Sequence, residues 1–325
     1  MIRASVLVLM PVLGAGCATG AQIESVPLPD GAAGIGLDDL RYSSTMRGVL
    51  VPAGRTGNLD IVDGHSHGVA VISGFSTQAT FDGGHDFGAT SAEEVDGTLY
   101  VTDRTTERIY AVDPVRGVIT AMADLAASPD YVRDAGGGEL WVTEPDAEQI
   151  EIFRRADLTS LATIAVPGGP ESLVVDSVRG RAYAHADGGV TFAIDLAGRA
   201  VVDTWQNGCT TPKGIALDAA RGLLVVGCGE GALVSLDVAG SGAVVGQLTY
   251  GNGLDVLGYD PQRHHVYAPG GLSGSLGIVD LAAGGGLQLV RSVVTASGAH
   301  CATSDGAGTV YVCDPDGGRL LVIED

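Results

Sequence analysis

Four residues that can bind ions or transfer protons recur along the chain at a nearly constant spacing. Glu171, Lys213 and Asp255 are each 42 residues apart, and His300 follows 45 residues later; Lys213 is the only lysine in the sequence. If the fold brings them together, the ammonium, carboxylates and imidazole can bind an anion or a carbonyl group, with acid and base groups close by. Alternatively, they form a salt-bridged ring that only holds the fold in register.

The elements that must position these residues belong to a repeat. Short runs rich in Val, Ile, Leu and Tyr alternate with Gly, Asp and Pro, which is an all-β pattern. Equivalent positions, with spacings of 50, 41, 42, 42, 42 and 44, are Leu50, Tyr100, Trp141, Tyr183, Val225, Tyr267 and Tyr311. A period near 42 with about four short strands per unit predicts a β-propeller.

Seven repeats predict an all-β, seven-bladed β-propeller of four-stranded blades. The sequence ends at Asp325, where the third strand of the last blade ends, so that blade needs a strand from elsewhere. We expect the segment QIESVPLP (22–29) to supply it. Joining the two ends of the chain in one blade closes the ring and removes exposed sheet edges.

The innermost strand of each propeller blade lines the central channel, and we align each one on the acid that follows it. The residue five positions earlier is then expected at the mouth of the channel. Blades 4–7 place Glu171, Lys213, Asp255 and His300 there, whereas blades 1–3 place the small or apolar residues Ala33, Gly88 and Pro129. An insertion between blades 1 and 2 contains His85, and we expect it to reach over the mouth as a lid.

Three segments carry a family resemblance. YVTD (100–103), WVTE (141–144) and YVCD (311–314) resemble the signature of bacterial and archaeal YVTN-repeat β-propellers, and the resemblance covers roughly residues 22–325. Blades 5 and 6 depart from it, with VVGC and YAPG. The resemblance implies an exported seven-bladed propeller, a type often of unassigned function. It supplies no catalytic motif to carry over.

The N-terminal stretch MIRASVLVLMPVLGAGC has the anatomy of an export signal, with Arg3 before a short apolar run. Its ending, LGAGC, resembles the bacterial lipobox, although Gly14 stands where leucine is usual. We therefore expect a signal peptide over 1–16, a linker over 17–21 lipidated at Cys17, and a propeller over 22–325. The alternative is an ordinary cleaved signal peptide. A lipoprotein of the cell envelope would face the periplasm or the cell surface, anchored only by its lipid.

Four further cysteines are expected to form disulfides, because an even number in an exported chain favours pairing. We predict one bond between Cys209 and Cys228, beside Lys213. The second pair, Cys301 and Cys313, can face each other across a hairpin. If they do not bond, they are buried free thiols.

The net charge of −21 disfavours nucleic acid and anionic membranes as partners of a basic surface. No nucleophile-elbow or phosphate-loop motif stands in a suitable context. We expect a monomer with no cofactor and a non-catalytic role, binding a small ligand at the mouth or a protein partner. The alternative is a metal-dependent, lactonase-like hydrolase that holds Ca²⁺ or Zn²⁺ with Glu171, Asn207, Asn252 and Asp255. Lys213 argues against that set, since an ammonium repels a cation.

Overall fold

The computed structural model of the protein describes residues 23–325 and contains seven four-stranded antiparallel sheets within that range. The predicted seven-bladed β-propeller is therefore confirmed. The signal peptide, the linker and Cys17 lie outside the described residues. Among residues 23–325, no helix is long and apolar enough to cross a membrane.

The first four blades follow one another along the chain, each from its innermost strand to its outermost. Their strands are β2 (Arg41–Ser43), β3 (Gly48–Pro52), β4 (Thr56–Asp63) and β5 (Val69–Thr77) in blade 1; β6 (Ala89–Val95), β7 (Thr98–Asp103), β8 (Arg108–Asp113) and β9 (Val118–Asp124) in blade 2; β10 (Val132–Gly136), β11 (Glu139–Glu144), β12 (Gln149–Arg154) and β13 (Thr159–Ala165) in blade 3; and β14 (Val174–Asp176), β15 (Arg181–Ala186), β16 (Val190–Asp195) and β17 (Ala200–Gln206) in blade 4. Two short 3-10 helices, Gly31–Ala33 and Pro145–Ala147, lie in connections.

The last three blades complete the ring. Their strands are β18 (Pro212–Asp218), β19 (Leu223–Cys228), β20 (Ala232–Asp237) and β21 (Ala243–Thr249) in blade 5; β22 (Gly258–Asp260), β23 (His265–Gly270), β24 (Ser275–Leu281) and β25 (Leu287–Val294) in blade 6; and β26 (Ala302–Ser304), β27 (Thr309–Asp314), β28 (Arg319–Glu324) and the N-terminal β1 (Ile23–Pro27) in blade 7. Strand β1 pairs with β28 from Ile23 opposite Ile323 to Pro27 opposite Arg319. The predicted closure of the ring is confirmed.

The repeat arises from packing between blades. The seven equivalent residues from Leu50 to Tyr311 lie on the second strand of each blade, and all are at most 6% exposed. Neighbouring blades cover this strand on both faces, so it reads as a nearly continuous apolar run. The outermost strands alternate and expose more of their side chains, as β9 and β17 do. This difference between inner and outer strands produces the sequence period.

Both predicted disulfides are present. Cys209 bonds Cys228 and Cys301 bonds Cys313, with Cα–Cα separations of 5.4 and 5.5 Å. Each joins the segment at the start of an innermost strand to the end of the next strand. The first bond thus anchors the loop that leads into Lys213, and the second anchors the residue that follows His300.

Candidate functional site

Strand pairing fixes which residue of each blade points to the mouth of the channel. In blade 5 the core residue Val225 pairs with Ala216 on the innermost strand, and Lys213 lies three residues before Ala216. The same rule applied to the pairing in all blades gives the ring Asp38, Thr90, Asp130, Glu171, Lys213, Asp255 and His300.

The expected mouth residues of blades 4–7 agree with this register, whereas those of blades 1–3 do not. In blades 1, 2 and 3 the ring residue is Asp38, Thr90 and Asp130, in place of Ala33, Gly88 and Pro129. At the reference position these innermost strands carry a serine, a valine and an alanine instead of an acid. Because the sequence alignment used the nearest acid, the expected mouth residue was displaced by five, two and one positions in blades 1, 2 and 3.

The mouth forms an upper cavity of about 420 Å³. It is lined by Asp38, His85, Asp86, Arg104, Ser128, Pro129, Asp130, Tyr131, Pro145, Asp146, Glu171, Lys213 and Asp255. Tyr131 is only 3% exposed and also lines a cavity of about 360 Å³ on the opposite side of the channel. Its ring therefore divides the channel, and the upper cavity has a closed floor.

Arg104 is the main organising cation of the upper cavity. Its Nη2 lies 3.2 Å from Asp38 Oδ2, it forms a second ion pair with Asp130, and its Nε donates to the Pro129 carbonyl at 2.9 Å. The turn that carries Arg104 is fixed by Asp103, whose Oδ1 accepts the backbone N–H groups of residues 105 and 106 at 3.0 and 3.1 Å. Asp103, the aspartate of the YVTD motif, thus helps to position Arg104 at the cavity.

The insertion between β5 and β6 brings His85 into the same cluster. His85 Nδ1 lies 3.1 Å from Asp38 Oδ2, and its Nε2 lies 4.0 Å from Asp255 Oδ2. Attraction from Asp38 raises the pKa of His85 to about 9. Burial disfavours the Asp38 carboxylate, but His85 and Arg104 together hold its pKa below the usual range. The insertion covers the mouth at this point, as the sequence predicted.

Lys213 forms an ion pair with Glu171 of the neighbouring blade. Burial lowers the pKa of Lys213, but the hydrogen bond and charge of Glu171 outweigh burial, so the pKa is raised overall. The single lysine is therefore charged and already partnered within the ring. It lines the cavity without presenting an unpaired ammonium.

The upper cavity has an excess of acids. Six carboxylate residues line it, against Arg104, Lys213 and His85. Burial raises the pKa of Asp130, although the charge of Arg104 opposes the shift. Burial also raises the pKa of Asp255, against the attraction of His300 and His85. Six acids against three basic groups favour a cation in the cavity.

His300 lies where the upper cavity extends towards blades 6 and 7. This extension, of about 370 Å³, is also lined by His85, Lys213 and Asp255, together with Phe81, Leu272 and several glycines. The rings of His85 and His300 stack with centroids 5.1 Å apart. Of the four residues predicted for the mouth, Lys213 and Asp255 line both spaces, Glu171 lines only the upper cavity and His300 only the extension.

The fold does not bring together the four residues of the alternative metal site, which are Glu171, Asn207, Asn252 and Asp255. The Asn207 side chain is fully buried, donates to Thr191 Oγ1 at 3.1 Å and accepts from the Cys209 N–H at 3.0 Å. Asn252 is exposed, and neither asparagine lines the upper cavity or its extension. Only Glu171 and Asp255 of that set reach the cavity.

Three residues of the site were missed from the sequence: Asp38, Arg104 and Asp130. For Asp38 and Asp130 the signal was available, because a strand register anchored on the buried second strand places both in the ring. For Arg104 the only signal is its position directly after the YVTD motif, in the turn that faces the mouth.

Comparison with known proteins supports the fold. No family model matches the sequence, and no curated protein matches it either. Among solved structures, the chain is similar to a chain of the mitotic checkpoint complex, with 15% identity, a TM-score of 0.77 and coverage of 100% of this chain and 99% of that one. It is also similar to a chain of hydrazine synthase from Kuenenia stuttgartiensis (13% identity, TM-score 0.75, coverage 97% and 99%). The β-propeller domain of Cps50 (Swd1) from Myceliophteria thermophila gives 12% identity, a TM-score of 0.73 and coverage of 90% and 98%. Similarity at these identities concerns the fold alone.

Proposed function

We propose that the protein is an envelope-anchored β-propeller lipoprotein whose upper cavity binds a small cationic ligand without catalysing a reaction. The observation that carries the proposal is the upper cavity itself, which has a closed floor and more carboxylates than basic groups. Lys213 and Arg104 are engaged by acids of the ring, so an anionic ligand would have to compete with Glu171, Asp38 and Asp130. A cation can instead use Asp146 and Asp255, which form no ion pair with either base among the described residues.

The first test is thermal unfolding of the full-length protein with a panel of small ammonium compounds, divalent cations, organic acids and lactones. We expect cations to raise the Tm and organic acids not to. Lys213→Met should strengthen cation binding by roughly tenfold, because it removes a positive charge beside the ligand. Glu171→Gln should weaken it.

The opposite pattern would refute a cationic ligand. If only organic acids raise the Tm, and Lys213→Met abolishes the rise, the cavity binds anions. If no compound has any effect, the top face would serve a protein partner instead. One of the similar chains belongs to the mitotic checkpoint complex, and Leu272 beside the cavity is 81% exposed. Co-purification that depends on Leu272 would then support the protein partner.

The lipid anchor is proposed from Cys17 and the lipobox-like LGAGC stretch. With Cys17→Ala, we expect the protein to move from the membrane fraction to the soluble fraction of cells that export it, because it loses the acylated residue. Fractionation followed by mass spectrometry of the N-terminal peptide would measure this. A wild-type protein with an unmodified N-terminus, found only in the soluble fraction, would indicate an ordinary cleaved signal peptide.

A further inference from the structure

Two histidines and two aspartates that could ligate a metal lie together where the upper cavity meets its extension. Asp38, His85 and His300 each offer a ligand atom within 4.8 Å of the others, and Asp255 Oδ2 lies 4.0 Å from His85 Nε2. The residues come from blades 1, 6 and 7 and from the insertion. No two are neighbours in the sequence, so the fold alone brings them together.

His300 is poised as a ligand. Its Nδ1 lies 2.6 Å from the Gly298 carbonyl, which accepts hydrogen bonds only, so Nδ1 carries the proton and Nε2 keeps its lone pair. Nε2 is buried and has no hydrogen-bond partner among the described residues. A histidine whose second nitrogen donates to a backbone carbonyl is the usual arrangement at metal sites, because that bond fixes the tautomer and the ring orientation.

His85 is positioned by Asp38 and Arg104. Asp38 Oδ2 and Arg104 Nη1 each lie 3.1 Å from His85 Nδ1, so this nitrogen faces both groups while Nε2 faces Asp255. Asp38 itself is fixed by Arg104 at 3.2 Å and is therefore better placed to orient His85 than to bind a cation. Carboxylate–histidine–metal arrangements use this contact to raise the basicity of the ligand.

We infer that His85 Nε2, His300 Nε2 and the Asp255 carboxylate form a site for a divalent first-row transition cation, for which Zn²⁺ is the probe. This inference rests on the proposed function, and it names the class of cation and its place in the cavity. Two imidazoles and one carboxylate suit zinc, whereas Ca²⁺ requires oxygen ligands throughout. The fourth position would remain open to the cavity and so to water or a second ligand.

Metal binding requires the ligand atoms to move closer together. Bonds of about 2.0–2.1 Å in a tetrahedral site place ligand atoms about 3.4 Å apart, whereas His85 Nε2 and Asp255 Oδ2 lie 4.0 Å apart and the His85 and His300 ring centroids lie 5.1 Å apart. The insertion that carries His85 is largely exposed and can shift. Binding displaces the proton from His85 Nε2. Lys213 is no obstacle while Glu171 neutralises it.

The other histidine and cysteine groups of the described chain do not offer a comparable set. His300, Cys301 and Cys313 lie close together, as do Cys209, Cys228 and Glu230. In both groups the cysteines are joined in disulfides, so they provide no thiolate ligand. The cavity cluster is the one with free nitrogen and oxygen atoms.

The test uses the full-length protein, freed of metal with a chelator. We expect one equivalent of Co²⁺ to give the visible absorption bands of a low-coordinate site, and one equivalent of Zn²⁺ to displace it and raise the Tm. His300→Gln and Asp255→Asn should each weaken Zn²⁺ affinity by at least about 100-fold, and Asp38→Asn by roughly 10–100-fold. His65→Gln, in an exposed turn of blade 1, is the matched control and should leave the affinity unchanged.

Several outcomes would overturn the site. One is the absence of stoichiometric binding of Co²⁺ or Zn²⁺; another is binding that survives His300→Gln and Asp255→Asn. His85→Gln removes a second ligand at a residue of the insertion, and its Zn²⁺ affinity tests the site if His300→Gln unfolds the protein. If organic ammonium compounds still raise the Tm while metals do not, the metal site is wrong and the proposed cation-binding function stands. If neither the ammonium compounds nor the metals raise the Tm, both the metal site and the proposed cation-binding function are wrong.

Discussion

Arg104→Met is expected to destabilise the protein by about 3–5 kcal/mol, because it leaves buried acids without their counter-charge. Among residues 23–325, Asp130 would lose its one ion-pair partner and Asp38 would keep only His85. The pKa of Asp130, which burial already raises to about 8, would rise further. A raised carboxyl pKa means that the folded state holds a proton that the unfolded state releases, so stability falls as the pH rises from about 4 through the folded pKa. The loss should therefore be greater at pH 8 than at pH 5.

Chemical unfolding of the two proteins at pH 5 and pH 8 would measure this effect. Arg108→Met is the matched control, since Arg108 lies four residues further along and pairs with the exposed Asp124 on the surface of the same blade. It should match wild type within error, because exposed ion pairs contribute little. If Arg104→Met were as stable as Arg108→Met at both pH values, the network would not hold the mouth together as described.

The fold could be predicted from the sequence because its signal comes from packing that repeats. Residues such as Trp141 and Tyr311 are buried on the second strand of their blades, and each blade must bury the same position. The N-terminal strand could be assigned to blade 7 because that blade was one strand short. Both predictions follow from the requirement that every blade has four strands and buries the same position.

The site could be predicted only in part because its residues do not repeat. Lys213 and His300 were found because an acid stands at the reference position of their blades: Asp218 ends strand β18 and Asp305 directly follows strand β26. Asp38 was missed because strand β2 ends at a serine instead. The contacts of Arg104 with Asp38 and Asp130 join residues 66 and 26 positions apart. A local sequence pattern cannot predict such a contact, because charge pairing across the channel depends on how all the blades are arranged in the ring.

Arg133 and Asp39 form a second buried ion pair, which lines the lower cavity together with Tyr131. Nη1 and Nη2 of Arg133 donate to the two oxygens of Asp39 at 2.7 and 2.8 Å, and Nε donates to the Leu173 carbonyl at 3.1 Å. The guanidinium also lies 4.7 Å from the centre of the Tyr131 ring. These contacts link blade 3 to blade 4 and to the segment before blade 1. We expect the pair to hold the ring closed and to support the floor of the upper cavity.

Arg133→Met should therefore cost about 3–5 kcal/mol, since it strands the Asp39 carboxylate in the interior. The double change Arg133→Met, Asp39→Asn should be more stable than Arg133→Met alone, because removing both charges leaves no uncompensated ion. Unfolding free energies of wild type, both single variants and the double variant would measure the coupling between the two residues. Arg133→Met should also weaken ligand binding in the upper cavity, through the floor formed by Tyr131. If the double variant were no more stable than the Arg133→Met single variant, the loss would come from packing around the guanidinium instead of from the stranded charge.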